Sequence, residues 1–242
     1  MERFGQPERI EAKGRGNLVT ETDLAVEAAV LELLSREFPG HRAMSEETAA
    51  EIDHGDKGWL WVVDPVDGTH NYSRGNPNFA FNIALCLDGE PVLGLTHSPV
   101  TGHEFFAERG GGLWVNGARA RVSNVDSLRQ SVLGAELGYN DVRGANALAL
   151  ISDIWPAVQS VRITGSAALG LAFAACGRYD VFIHHFLFPW DVAAGIILIK
   201  EAGGLIVDRD GGPVTIHSEG VIAGAPGPVR ELLALAESTP WR

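Results

Sequence analysis

Two aspartates three residues apart, Asp64 and Asp67, close the apolar run Trp59-Leu60-Trp61-Val62-Val63 and are followed at once by Gly68 and Thr69. Carboxylates brought into one small volume around a proline turn repel each other unless a cation lies between them. A divalent metal is the economical explanation. Gly68 lets the backbone approach a ligand closely, and Thr69 adds a hydroxyl and amides at the start of a short helical turn, which suits an anion. Metal and phosphate would meet at this point. Other acids could join them. Asp191 opens an apolar helix beside Trp190, although an acid in a first turn needs no function. Glu46 and Glu47 stand in a polar stretch that reads as solvent-facing unless a returning connection brings it alongside. Asp23 sits in the first turn of a helix, where the dipole alone would favour it.

The elements that must position these residues can be read from periodicity. Residues 59–63 suit a strand buried on both faces, predicted to stop at Pro65, which has no N–H for a ladder. Residues 1–18 show little periodicity, so Lys13 beside Gly14-Arg15-Gly16 reads as a solvated lysine on a loop. Thr20 to Phe38 is predicted as a capped amphipathic helix with Leu24, Ala28, Leu31 and Leu34 on its apolar face. Phe79 to Leu87, Val92 to Thr96, Glu104 to Ala107 and Leu113 to Val115 form an antiparallel meander ending at Asn116-Gly117, with Gly110-Gly111-Gly112 as a hairpin bend.

From Ser131 strands alternate with helices. The predicted order is strand 131–137, helix 145–158, strand 161–164, helix 167–176, strand 179–185, helix 191–201, strands 205–207 and 221–223, and a helix after Pro228. A soft boundary falls at 125, giving an N-terminal α+β half (1–125) and a C-terminal α/β half (126–242) packed as one unit around a cleft. In the second half, Gly165-Ser166 carries a strand into a helix, a geometry that aims amides and a hydroxyl at an anion or a sugar-like ring, or simply caps the helix.

Composition narrows the classes. A length of 242 residues supports a full core without disulfides, and the net charge of −12, without a basic cluster, argues against nucleic acid or an anionic membrane surface. Cys86 and Cys176 lack any paired or metal-ligating spacing, which fits a reducing cytoplasm better than a disulfide or zinc framework. The polar N-terminus and the lack of a long apolar run give no sign of a signal peptide or membrane span.

The strings WVVDPVDGTHNY, SEE at Ser45 to Glu47 and WDVAAG at Trp190 to Gly195, in that order, resemble the inositol monophosphatase family of magnesium-dependent, lithium-sensitive phosphatases. The spacing of the two aspartates separates it from haloacid dehalogenase-type phosphatases, whose paired acids are two residues apart. The resemblance implies a layered αβαβα sandwich of α/β (α+β) class and a cytoplasmic homodimer. It also implies two or three Mg²⁺ ions held by Glu46, Asp64, Asp67, Asp191 and the carbonyl of Val66, with Thr69 completing the shell. Asp23 and Thr69 match the pair that activates water, Lys13 and Glu47 lie next to the metal ligands, Gly68 and Thr69 hold phosphate, and Gly165, Ser166 and Ala167 touch the alcohol. Metal ions there could neutralise the phosphate and acidify a water, so no covalent intermediate is required.

The implied activity is hydrolysis of a small polyol or sugar phosphate, first of all inositol 1-phosphate, with histidinol phosphate and fructose 1,6-bisphosphate as rivals. A non-catalytic binding or regulatory relative is the reading of another class, and it would be marked by a lost metal carboxylate. Two departures from the family stand out. His184 occupies the place of a substrate-contacting glutamate, where it is either a packed core residue or the sign of a changed substrate. The family also carries a helix ahead of the position of Lys13.

Overall fold

The computed structural model describes residues 1–48, 57–237, 239 and 241. The polar connection expected before Trp59 falls largely outside them. The strand of the first sheet that carries the two aspartates is β4 (Trp59–Asp67), second from the sheet edge and buried at every residue after Trp59. It runs past Pro65, contrary to the sequence expectation. Asp64 pairs with Asn82 and Asp67 with Ala80, so Pro65 and Val66 fall in a bulge where no ladder donor is needed. That bulge is what lets two acids three residues apart leave the strand together.

The N-terminal segment is also more ordered than its composition suggests. Strands β1 (Ile10–Gly14) and β2 (Asn17–Thr20) form an antiparallel hairpin. Helix α1 (Glu21–Glu37) follows, with Thr20 N donating to the Asp23 carboxylate at 3.0 Å in a capping box. Its buried stripe is Asp23, Glu27 and Leu34, with Val30 partly buried beside them, rather than the face containing Leu24 and Ala28; Leu24 is 49% exposed. The helix turns acids inward because that face is shared with the cleft described below. Strand β3 (Arg42–Ser45) lies parallel to β4 and delivers Glu46 beside it.

Beyond β4 come the short helix α2 (Thr69–Ser73) and the strands β5 (Ala80–Leu87), β6 (Glu90–Ser98), β7 (His103–Glu108), β8 (Gly112–Val115) and β9 (Ala118–Ala120). The sheet order is β3-β4-β5-β6-β7-β8-β9. The meander therefore continues past Asn116-Gly117, whose positive φ angles of 49° and 76° make a hairpin turn instead of a terminus.

The second sheet has the order β11-β10-β12-β14-β13, built from β10 (Val132–Glu136), β11 (Ser160–Arg162), β12 (Val181–His184), β13 (Leu205–Asp208) and β14 (Val221–Gly224). Helix α3 (Asp141–Ile154) starts four residues before its predicted position, where Asn140 accepts from Arg143 N at 3.0 Å as N-cap. Helices α4 (Ala167–Ala175), α5 (Pro189–Glu201) and α6 (Pro226–Ala236) complete the chain, α6 beginning ahead of Pro228 with Pro226 at its first position.

Five layers result. Helix α1 covers the outer face of the first sheet; α4 and α5 lie between the sheets in the main apolar core; α3 and α6 cover the far face of the second sheet. Among the described residues no helix is long and apolar enough to cross a membrane. Close packing of α5 on β6 depends on Gly94, where a Cβ would come within 2.9 Å of the Ala194 carbonyl oxygen and 3.0 Å of its Cα. Backbone atoms cannot swing aside, so Gly94→Ala is expected to destabilise the fold by about 1–3 kcal/mol through overpacking. Calorimetry would register this as a lowered thermal midpoint, and an unchanged midpoint would contradict the tight contact.

Candidate active site

The site lies where the bulge of β4 meets the starts of α4 and α5. Ligand-type oxygens of Asp64, Asp67 and Asp191 lie within 4.8 Å of one another. Each is held by backbone or hydroxyl donors. Asp64 accepts from Val66 N at 3.0 Å across Pro65. Asp67 accepts from the Ser166 hydroxyl, from Ala167 N at 3.2 Å and from Ala168 N at 3.0 Å, so it faces the positive end of α4. Asp191, third residue of α5, accepts from Phe188 N at 2.7 Å. The carbonyl of Trp190 is in turn fixed by Asn82 Nδ2 at 2.8 Å, and Asn82 is the cross-strand partner of Asp64. One buried asparagine thus ties the acids of β4 to the acid of α5.

Glu46 also lines the cleft, and Lys13 bridges it to Glu47 at 2.6 and 2.9 Å. Lys13 is therefore a paired lysine on β1, not a solvated one on a loop. Glu47 is anchored through its own N–H, which donates to Glu27 at 3.0 Å. Behind the cleft, fully buried Asp23 accepts from the Thr69 hydroxyl at 3.0 Å, and that hydroxyl also lies 3.1 Å from the Val66 carbonyl. Gly68 has φ of 90°, and a Cβ there would approach the Gly165 carbonyl oxygen to 3.0 Å. Only glycine fits between the two segments.

The Gly165 to Ala167 segment is set by two residues that the sequence reading did not single out. Glu136 accepts from Thr164 N, Thr164 Oγ1 and Gly165 N at 2.7, 2.8 and 2.8 Å. Asn71 Nδ2 reaches the carbonyls of Asn78, Thr164 and Gly165 at 2.6, 2.8 and 3.1 Å. Asn71 stood inside the DGTHNY string, and Glu136 lay one residue before the end of a predicted strand; both were visible only by position. His184 is 5% exposed and lines the same cleft, which has a volume of about 230 Å³ and opens to solvent.

Electrostatically the acids are in tension. Burial first, then the charges of Glu46, Asp67 and Asp191, push Asp64 well above the ordinary carboxylate range. Burial and Asp67 do the same to Asp191. Burial raises Asp67 to about 6 despite the donors around it, and Glu47 to about 7 despite Lys13. Hard oxygen donors converging with unbalanced negative charge fit a hard divalent cation.

A model of the inositol monophosphatase family matches residues 1–239. The chain belongs to the inositol monophosphatase family. An inositol monophosphatase of Dictyostelium discoideum is 36% identical over 96% of this chain and 87% of its own length. A fructose-1,6-bisphosphatase/inositol-1-monophosphatase of Thermotoga maritima is 37% identical over 92% of this chain and 84% of its own. The solved structure of a Thermotoga maritima inositol monophosphatase superposes with a TM-score of 0.89 at 34% identity, covering 98% of this chain and 90% of that one. The chain is thus a phosphatase of metal-dependent type with the fold of this family.

The raised pKa values predict how the metal-free protein responds to pH. Asp67 and Glu47 bind protons more tightly when folded than at their ordinary values of 3.8 and 4.5. Between those values and about 6 to 7 the folded state holds more protons than the unfolded one, so stability falls as pH rises through that window. Thermal melts with chelator should show a midpoint that drops across the window, and added Mg²⁺ should recover it at the upper end. A midpoint that rises across the same window would refute the picture.

Proposed function

We propose that this chain is a Mg²⁺-dependent phosphomonoesterase, using two or three ions, that releases phosphate from a small polyol or sugar phosphate, with inositol 1-phosphate the first substrate to test. The observation that carries the reading is the convergence of Asp64, Asp67 and Asp191 within 4.8 Å, buried or half-buried and raising one another's pKa. In this reading Glu46, Asp64, Asp67, Asp191 and the carbonyl of Val66 hold the ions. When bound there, the ions supply a Lewis acid for phosphate oxygens and make a neighbouring water more acidic.

The chain's own groups do the positioning. Thr69 lines the cleft while Asp23 lies behind it and accepts the Thr69 hydroxyl. With its proton committed inward, the Thr69 oxygen presents lone pairs to the cleft and can take a hydrogen bond from an attacking water. Gly68 and Thr69 receive the phosphate. Lys13 keeps Glu46 oriented and partly neutralised, with Glu47 as its second partner. Gly165, Ser166, Ala167 and His184 flank the leaving alcohol.

Fructose 1,6-bisphosphate fits less well, because a second phosphate needs a cation and the described lining residues of the cleft include no lysine or arginine. Histidinol phosphate is the second reading, favoured by the acid-rich cleft, which suits its amine. A purely regulatory relative is disfavoured because every carboxylate of the expected ligand set is present. Operation in a reducing cytoplasm is supported by two free cysteines, and a homodimer by the family resemblance alone.

Phosphate release from inositol 1-phosphate, histidinol phosphate and fructose 1,6-bisphosphate, with and without Mg²⁺, tests the reading directly. Turnover should require the metal and be weakest for the bisphosphate. Asp67→Asn should lower kcat by more than about a hundredfold, beyond the loss usual for a neighbour of a metal ligand, while the protein stays folded by circular dichroism. Retained turnover in that variant would sink the assignment. Lithium is expected to inhibit in the millimolar range, and full activity at high lithium would speak for a different metal set.

A further inference from the structure

The sheet does not fix the turn of Val66. The β4–β5 ladder passes from the Asp64–Asn82 pair to the Asp67–Ala80 pair, and Pro65 and Val66 lie between them without a ladder partner. The helix that follows is no anchor by itself: α2 spans five residues, a length at which a helix is marginal without packing. Both are held by a small apolar cluster separate from the main core, made of Val66, Tyr72 and Phe79 with Phe4 packed against it. The rings of Tyr72 and Phe79 meet edge to face with centroids 5.1 Å apart, and Phe4 closes the cluster at 5.3 Å from Phe79 and 6.0 Å from Tyr72.

Phe4 comes from the segment ahead of β1, and that segment is tied down on both sides of the ring. Gly5 N donates to the Tyr72 carbonyl at 3.0 Å, sharing it with Gly75 N at 3.2 Å, so it helps to cap the end of α2. Gly5 has φ of 74°, and a Cβ there would lie 3.0 Å from Gly75 Cα, so the two backbones meet only because residue 5 has no side chain. The Glu21 carboxylate accepts from Arg3 Nη1 at 3.2 Å, Glu8 N at 2.8 Å and Arg9 N at 3.0 Å. Tyr72 reaches α1 through its hydroxyl, 2.9 Å from Thr22 Oγ1. The effect on the site runs through two atoms. The Val66 carbonyl accepts from Thr69 Oγ1 at 3.1 Å and is one of the oxygens assigned above to the ions. Tyr72 stands three residues after Thr69 on α2, so a tilt of this short helix moves the Thr69 hydroxyl as well. An oxygen offered to a metal works only within narrow limits of distance and direction.

We propose that Phe4 and Gly5 are positioning residues of the site: residues 1–9 form a strap that, through Tyr72 and Val66, sets the direction of the Val66 carbonyl and the seat of Thr69, and with them the affinity for the divalent ion. The proposal rests on the metal-dependent phosphatase reading above and adds to it two residues that do not line the cleft.

Calorimetric titration of the full chain with Mg²⁺, which needs no substrate, reads the effect directly. Phe4→Ala should weaken Mg²⁺ binding by about tenfold, the size usual when a partner that orients a metal ligand is lost. Phe4→Leu, which still fills the cluster, should keep most of the affinity. In phosphate release from the best of the three substrates above, the same loss should appear as a higher Mg²⁺ concentration for half-maximal rate, with KM for the ester at saturating Mg²⁺ little changed. A merely structural role would lower the thermal midpoint in chelator and leave the Mg²⁺ affinity alone. Should Phe4→Ala fail to fold by circular dichroism, Gly5→Ala replaces it: its Cβ presses on the Gly75 backbone and lifts the strap, with the same loss of affinity expected. Unchanged Mg²⁺ affinity in folded variants overturns the strap and leaves the phosphatase reading standing. Weakened binding in variants of a chain that releases no phosphate from any of the three substrates supports the strap and overturns the activity. A parent chain that binds no Mg²⁺ overturns both.

Discussion

Mutual repulsion among buried carboxylates is the constraint on which the rest of this structure depends. Asp64 and Asp67 are nearly inaccessible, Asp191 is within reach of both, and Glu46 adds a further negative charge. Left to themselves such groups would separate or take up protons. The fold prevents separation by fastening each acid to something that cannot move. Asp64 and Asp67 are pinned on either side of a strand bulge, Asp67 faces the amides that open α4, and Asp191 is the third residue of α5. Two helices sandwiched between the sheets therefore point their positive ends toward the place where negative charge collects. Part of the electrostatic cost is offset by the backbone itself.

The acids were legible in the sequence because their chemistry is local. Asp64-Pro65-Val66-Asp67-Gly68-Thr69 carries its own turn, its own metal-type oxygens and its own conformational exception, so the reading needed no knowledge of distant contacts. The residues that aim these groups were not legible, for a physical reason. Asn82 works by holding a carbonyl 108 positions away, and Asn71 by holding one 93 positions away; nothing in their neighbourhoods distinguishes them from ordinary strand and turn asparagines. The buried face of α1 was misassigned because Asp23 and Glu27 look solvent-facing by composition and are buried only where Thr69 and Glu47 need them. The hairpin carrying Lys13 was missed because its first strand is exposed throughout and has no apolar alternation to read. Its order comes from pairing with β2 and from ion pairs to Glu46 and Glu47.

Pro65 shows a general rule being right in chemistry and wrong in consequence. It cannot donate to a ladder, and the structure gives it no ladder position. The strand resumes at Asp67 because a bulge can absorb two unpaired residues without ending the sheet. Had the strand stopped at Asp64, Asp67 would have no partner at Ala80 to fix its direction, and its alignment with Ser166 and Ala168 would depend on a free loop.

The two halves of the cleft are under different constraints. On the carboxylate side every group feels every other: Asp64 is raised by Glu46, Asp67 and Asp191 together, so altering one acid changes the charge balance of all of them. A site coupled in this way tolerates little change short of losing its ion. On the other side, His184, Tyr139 and Ile163 also line the cleft, and the separation is incomplete: after burial, the charges of Asp67, Asp191, Glu46 and Asp64 raise the Tyr139 phenol. A substitution at Tyr139 therefore alters both the lining of the cleft and the surroundings of its acids. Change is easiest where a lining residue is exposed and carries no charge of its own, as at Ile163, which is 52% exposed.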